Sequence, residues 1–391
     1  MQTWNNWFID KYNSLGTLKL RIARDKYDPR YFVHQNINYL NFVSNDYLGI
    51  AKHETLVEAL KLGVEQQGVG STGAPNLSGL SIEHNTLANL LASWLGYQAC
   101  LLFNTGFQLN SSIFSQITDA ETIVWFDRRC HASHIDGMKL AQVKFYSFSD
   151  DTLNSVFKRI MSIPDKRHII LTEGSFSMDG TCLYLEKLLK FKSDNQDNVL
   201  LMVDDAHGIG ALGTNGHGTL EQLGLPLSSI DILIGTLGKA VATFGGFVCS
   251  NQHIINYLEQ TARGVIFSTN MPPAIASSSS ASLKLISSDI GATLRQRLKQ
   301  NISYFLELCL KYNLPIYNPD VNISPIQLLI FNDEDTTTRI FNELRNKFIF
   351  VGKVSYPIVK RNAPRIRISL TAAHTKTDIE TLCEALANAI N

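Results

Sequence analysis

Val199-Leu200-Leu201-Met202-Val203-Asp204-Asp205-Ala206-His207-Gly208 is an apolar, β-branched run that turns polar within one residue. A second run, Ile230 to Ile234, turns in the same way into Gly235-Thr236-Leu237-Gly238-Lys239. Each run has the length and composition of a buried strand, so each polar tail belongs at a strand end. Further strands are predicted at Leu101–Phe103, Ile123–Phe126, His168–Leu171 and Gly246–Cys249, and helical segments separate most of them. Strands alternating with helices imply a largely parallel sheet covered on both faces. Open sheets of this kind bind ligands beyond the carboxyl ends of their strands.

The groups gathered at those ends fit one cofactor, pyridoxal 5'-phosphate. Its pyridine nitrogen must stay protonated to act as an electron sink, and a buried carboxylate such as Asp204 supports that charge. His207, three residues on, reaches the phenolic oxygen of the same ring. The aldehyde needs a primary amine, and Lys239 stands between the small residues Gly238 and Ala240. The hydroxyl of Thr236 suits the phosphate. Taken singly, each residue has a plainer reading as a strand-end turn residue or a solvated lysine. Asp204 and Asp205 could instead hold a divalent cation, but no further carboxylates cluster near them in sequence.

Several further segments carry a family resemblance. Glu173-Gly174-Ser175-Phe176-Ser177-Met178-Asp179-Gly180, Asp204-Asp205-Ala206-His207 and Thr236-Leu237-Gly238-Lys239 are similar to motifs of the α-oxoamine synthases, which are fold type I pyridoxal enzymes. So are Asn45-Asp46-Tyr47-Leu48-Gly49, His131-Ala132-Ser133, Phe267-Ser268-Thr269-Asn270-Met271-Pro272-Pro273 and Leu370-Thr371-Ala372-Ala373-His374, in the family's order from about residue 20 to the C-terminus. The resemblance implies an α/β, fold type I transferase with a large, mostly parallel-sheet domain and a smaller C-terminal α+β domain. The expected division is an N-terminal arm over 1–45, a large cofactor-binding domain over 46–288 and a small domain over 289–391.

By the same resemblance, Thr105, Gly106 and Phe107 form a loop that offers amides to the cofactor phosphate, as helix N-termini do for anions. His131 stacks on the ring opposite Asp204, and Ser177 joins the cofactor set. Ser268 or Thr269, with Thr269 preferred, reaches the phosphate of a neighbouring subunit, which implies a homodimer. Arg367 clamps the substrate carboxylate with the fork geometry that arginine suits, and Asn45 and Arg21 lie nearby. Arg365 and Arg367 alternate on one predicted strand and so share a face; without the resemblance they read as two solvated arginines. His131 with His134 could also suggest a metal pair, but the spacing and the missing further ligands speak against it, and no metal is expected.

The implied reaction is a decarboxylative condensation of L-alanine with a pimeloyl thioester, carried by coenzyme A or an acyl carrier protein, in biotin formation. Lys239 serves as covalent anchor and base, and His131 polarises a carbonyl. A sibling reaction, glycine with acetyl-coenzyme A or the making of long aminoketones, would use the same residues. A catalytically inactive partner should lack Lys239. Two stretches on the expected acyl path depart from the family: Gly70-Ser71-Thr72-Gly73-Ala74-Pro75-Asn76-Leu77-Ser78-Gly79, where Pro75 removes an amide donor, and Tyr356-Pro357-Ile358-Val359-Lys360.

Composition agrees. The chain has 391 residues, 45% hydrophobic, with 35 basic and 35 acidic side chains. That balance offers no footprint for nucleic acid or an anionic membrane, and no apolar run approaches the ~20 residues that span a bilayer. The N-terminus lacks the basic head and apolar stretch of a signal peptide. Six scattered cysteines, Cys100, Cys130, Cys182, Cys249, Cys309 and Cys383, read as reduced residues of a cytoplasmic protein. A Ser- and Ala-rich helix over 274–288 leads out of the large domain. One long helix, strands near Ile326–Phe331 and Ile366–Leu370, and a final helix with Ile379, Leu382, Cys383, Leu386 and Ile390 on one side complete the chain.

Overall fold

The computed structural model describes residues 3–14, 21–181, 184–195, 198–318, 323–356 and 358–390. Cys182 and Pro357 therefore lie outside the described residues. The central sheet has seven strands: β1 (Ala99–Phe103), β2 (Thr122–Asp127), β3 (Lys144–Phe148), β4 (Arg167–Glu173), β5 (Val199–Asp204), β6 (Ile232–Thr236) and β7 (Gly246–Ser250). Their order in space is β1-β7-β6-β5-β4-β2-β3. Every pairing from β6 across to β3 is parallel, and β7 runs antiparallel to both of its neighbours. Trp125, Val124, Ile170, Leu171, Leu201, Met202, Ile232 and Phe247 are almost wholly buried, as a sheet covered on both faces requires.

β3 escapes prediction because Lys144-Phe145-Tyr146-Ser147-Phe148 mixes exposed and half-buried positions at the sheet edge. The exit helix is found at Pro273–Ile286, with a proline in its first turn where the missing N–H costs nothing. It packs against the helix Glu54–Gln67. The approach is so close that a Cβ on Gly63 would lie 2.7 Å from the Ala274 Cα.

The C-terminal part carries an antiparallel sheet in which Arg365–Ser369 lies between Ile326–Ile330 and Gly352–Val354. Its helices are Asp289–Lys311, Glu334–Asn346 and Lys376–Ile390. The middle one was not anticipated: Glu-Asp-Thr-Thr-Thr opens it, and only Thr337, Ile340 and Leu344 are buried. Near the N-terminus, Ile37–Asn41 pairs in parallel with Ile349–Phe350, which ties the first strands to the last third of the chain. Cys100, Cys249, Cys309 and Cys383 are buried free thiols, and Cys130 is buried as well. Among the described residues no helix is long and apolar enough to cross a membrane.

Candidate active site

Five strand ends of the central sheet converge. β5 ends in Asp204, β6 leads to Lys239, β4 ends in Glu173, β2 leads to His131, and β1 leads to Thr105. Register places Asp204 beside Glu173 on one side and Ile234 on the other. This convergence is a consequence of the parallel topology, since parallel strands bring their carboxyl ends to one edge.

Asp204 is 6% exposed. Its Oδ2 accepts from the Asn110 Nδ2 at 3.1 Å and lies 3.0 Å from the His134 Nε2, and its Oδ1 accepts from the Ala206 amide at 3.1 Å. Burial alone would push its carboxyl upward, but His134, Lys239 and Asn110 outweigh that and hold it below the usual carboxylate range. It is an ionised carboxylate in a dry setting. Glu173 takes the opposite course: burial and the nearby Asp204 raise it well above its ordinary value, while its Oε1 accepts from the His131 amide at 2.6 Å. Burial lowers the Lys239 ammonium, and Asp204 and Glu173 pull it back only in part.

The imidazole of His131 caps the helix Ala132–Leu140. Its Nδ1 accepts from the Ser133 amide at 3.3 Å and lies 2.7 Å from the Ser133 Oγ. That arrangement puts the ring proton on Nε2. Desolvation lowers its pKa, Asp204 opposes this, and His134 and Lys239 keep the ring neutral. The Phe107 ring meets it edge-on at 6.4 Å.

His207, also 6% exposed, has its Nδ1 2.6 Å from the Tyr47 hydroxyl. The same hydroxyl is 3.2 Å from the Asn45 Oδ1. The hydroxyl donates to the Asn45 Oδ1, and its short contact with Nδ1 fixes the orientation of the His207 ring. Burial, with Lys239 and Arg367 nearby, depresses the imidazole well below its ordinary value, so it is neutral. Burial likewise pushes the Tyr47 phenol up to about 12. Arg367 closes the chain of contacts: its guanidinium donates to the Asn45 Oδ1 at 3.2 Å, to the Ser177 carbonyl at 2.8 Å and to the Ser369 Oγ at 2.9 Å.

Arg365 does share a face with Arg367, but it is not solvated. It is 6% exposed, ion-paired to Asp179 at 2.9 Å and bonded to the Met178 carbonyl at 2.7 Å. It braces the turn that carries Ser177, and Arg367 holds that turn from the next position along the strand.

Thr105 is the N-cap of the helix Gly106–Ile117, accepting from the Gln108 amide at 3.0 Å. The amides of Gly106 and Phe107 are first-turn donors of the kind that helices leave unsatisfied. β7 passes so close that a Cβ on Gly246 would lie 2.6 Å from the Gly106 nitrogen. That approach brings the loop to Thr236, which pairs with Gly246 and whose hydroxyl donates to the Gly245 carbonyl at 2.9 Å. Asn104 fastens Ser268 and Thr269 beside the same loop, with Nδ2 3.1 Å from the Ser268 Oγ and 2.7 Å from the Thr269 carbonyl.

A cavity of about 650 Å³ opens onto Lys239, lined also by Asn45, Asp46, Gly238, Ala242 and Thr243. Arg21 is exposed and does not line it, and neither do the stretches 70–79 and 356–360. The first of these stretches is tied to the 268–272 segment instead, through Ser71 to the Asn270 carbonyl at 2.6 Å and Asn270 to the Gly79 carbonyl at 3.0 Å.

Three contributors carry no signal of their role in the sequence: Asn110, Tyr47 and Glu173. His134 suggested itself only as a metal partner. Asn110 and His134 lie on helices that follow strand ends, and a search for polar residues within one turn or so of those ends would have found both.

The donor set fits pyridoxal phosphate. It combines an ionised buried carboxylate, two imidazoles, a lysine of lowered pKa and a helix N-terminus with open amides. The fold and this set define a fold type I pyridoxal-phosphate transferase. A family model described as aminotransferase class I and II matches residues 37–386. The 8-amino-7-oxononanoate synthase of Marinomonas sp. (strain MWYL1) is 36% identical over 92% of this chain and 87% of its own length. The crystal structure of the 8-amino-7-oxononanoate synthase of Francisella tularensis superposes with a TM-score of 0.76 at 29% identity, covering 90% of this chain and 97% of that one. A Sphingomonas wittichii serine palmitoyltransferase shares the fold, with a TM-score of 0.90 at 22% identity over 98% of this chain and 96% of that one. The chain belongs to the class I and II aminotransferase family, within its α-oxoamine synthase branch.

Proposed function

We propose that the chain condenses L-alanine with a pimeloyl thioester, releasing carbon dioxide and a thiol to give 8-amino-7-oxononanoate for biotin. The observation that carries this reading is the continuity from Lys239 through the cavity to Asn45 and on to Arg367. A base and a carboxylate fork share one site, as an amino-acid substrate requires. The named relatives support the choice of substrates.

Bound pyridoxal phosphate supplies a carbonyl that links covalently to amines and a protonated ring that draws electrons from the substrate α-carbon. Around it, Asp204 holds the compensating negative charge in place. His207 would meet an oxygen on the ring edge, its imidazole held in place by the Tyr47 hydroxyl. Thr105, Gly106, Phe107 and Thr236 take the phosphate, with Ser268 or Thr269 of a second copy. Lys239, with its lowered pKa, takes the α-proton at Nζ and returns one at the end. Arg367, with Asn45, orients the amino-acid carboxylate, and His131 donates from Nε2 to the thioester carbonyl oxygen. Ser177 presents its carbonyl to Arg367. Val69, Leu77, Ile82 and Phe267 are more than two-thirds exposed, a scale of apolar exposure that suits a homodimer. The domain limits proposed are an arm over 1–45, a large domain over 46–288 and a small one over 289–391.

The test is a matrix of amino acids against acyl-thioesters of several lengths, followed by thiol release. Turnover should be greatest for L-alanine with the pimeloyl thioester. Turnover confined to glycine with acetyl-coenzyme A would overturn the substrate assignment. In Lys239→Ala, both turnover and the visible absorbance of covalently held cofactor should vanish.

A further inference from the structure

We infer that Arg24, Lys26 and Lys52 form a phosphate-binding rim at the mouth of the Lys239 cavity, which takes the phosphate groups at the far end of a pantetheine thioester. The inference rests on the condensation proposed above. All three side chains line that cavity of about 650 Å³, and all three are exposed. They come from two separate segments, residues 24–26 at the entry to the short strand Lys26–Tyr27 and the turn before the helix Glu54–Gln67. Exposed lysines and arginines are usually no more than solvated charges. Here, however, three converge on the opening that leads to the catalytic amine.

Among the described residues none of the three has a carboxylate within ion-pairing distance. Asp46 is the one acid in the lining, and it is already engaged. It accepts from the Tyr27 hydroxyl, from the Ile50 amide at 3.0 Å and from the Ala51 amide at 2.9 Å, and burial raises its carboxyl above the ordinary value. The Arg24 guanidinium rests over the Tyr27 ring at 5.1 Å, which holds it at the mouth instead of free in water. The result is a positive collar around a cavity whose inner end handles a thioester group that carries no charge itself, the pimeloyl carboxylate lying at the other end of the acyl chain. The pantetheine arm carries no charge for such a collar to bind, whereas the group beyond it ends in phosphate. Lysine and arginine are suited to that recognition, and a charged collar also steers a polyanionic substrate to the opening.

Calorimetric titration of the cofactor-loaded protein with pantetheine, 4'-phosphopantetheine and coenzyme A tests the rim without needing an acyl group or turnover. Affinity should rise along that series, with coenzyme A favoured over pantetheine by about tenfold or more and the preference shrinking as salt is added. The triple variant Arg24→Ala, Lys26→Ala, Lys52→Ala should abolish most of the preference while leaving pantetheine affinity within about twofold. The charge reversal Lys52→Glu, at an exposed position, should lower the preference on its own. A gain complete at 4'-phosphopantetheine marks the phosphate shared with carrier proteins, and a further gain with coenzyme A marks the nucleotide phosphates; both support the rim. A triple variant that keeps the wild-type preference, or that weakens pantetheine as much as coenzyme A, overturns it. Because free thiols are titrated, a failed substrate matrix with an intact preference would sink the condensation reading and spare the rim. The converse result would sink the rim alone.

Discussion

The site has two halves that are built differently. Its floor, Asp204 with His134, Asn110, Glu173 and Lys239, comes from strand ends of a single sheet and the helices that follow them. Its wall, the chain His207–Tyr47–Asn45–Arg367–Ser177, joins residues as much as 322 positions apart. The floor settles charge, with one carboxylate held below the usual range and its neighbour pushed well above it. The wall settles orientation through neutral or permanently charged groups. On the proposed reading, the chemistry lies at the strand ends of one sheet, and substrate recognition where three separate parts of the chain meet.

Substitutions should separate the halves. Asp204→Asn keeps the shape and removes the charge, so kcat should fall roughly 10²- to 10⁴-fold, the range for a group acting on proton transfer, while the KM for alanine changes little. A variant that altered only KM would break the distinction. Arg367→Ala should act the other way. Truncating one member of a buried charged contact costs ~2–5 kcal/mol, so the KM for the amino acid should rise by roughly 30-fold or more, with partial recovery in Arg367→Lys.

Stability against pH should divide along the same line. His374, buried behind the wall, is stacked on Phe42 at 4.3 Å and bonded to the Asn41 carbonyl at 3.0 Å, and burial depresses it from 6.5 to about 4. Between those values the unfolded chain binds more protons than the folded one. The stabilisation is therefore complete above pH 6.5 and is lost as pH falls toward 4, amounting to about 3 kcal/mol at ~1.4 kcal/mol per unit. Asp205, under the floor, runs oppositely. Burial raises it from 3.8 to about 7, so its share of stability falls as pH rises across that window. Urea unfolding should show a shallow net dependence in the wild type. His374→Asn should remove the acid-side loss and leave stability rising as pH falls from 7; an unchanged profile would refute the assignment. The smallest effect is expected from Tyr47→Phe, about 1 kcal/mol for one hydrogen bond. It should appear as a several-fold loss in kcat and a shifted pH profile, because the His207 ring is no longer held by the phenol.

Most of the floor is legible in the sequence. Asp204 is legible because an apolar run that turns at once into acids marks a strand end, and Lys239, three residues past its strand, becomes legible beside it through the paired motif. His134 and Asn110 do not, since a histidine or asparagine on a helix has many uses and only the facing strand decides among them. Tyr47 stands inside a family motif without a visible role, because its partner His207 is 160 residues away. Arg365 and Arg367 are placed on the same face by strand periodicity alone, yet their burial depends on the Ser177–Asp179 turn folding over them. The edge strand Lys144–Phe148 and the helix Glu334–Asn346 are hidden for a related reason: the strand has no clear alternation and the helix is mostly polar, so both are held by neighbours and not by a strong pattern of their own.

What the chain determined by itself is the alternation of strands and helices, the parallel sheet that follows from it, and the identity of the charged residues at its carboxyl edge. These are local matters of period and composition. Tertiary structure alone decided which of two neighbouring acids, Asp204 or Glu173, gives up its proton the more readily, how Arg367 comes to face Asn45, and which surface cations surround the way in to Lys239. Each of those depends on burial and on distances between segments remote in sequence, and electrostatic energy is set by such distances and by the exclusion of water.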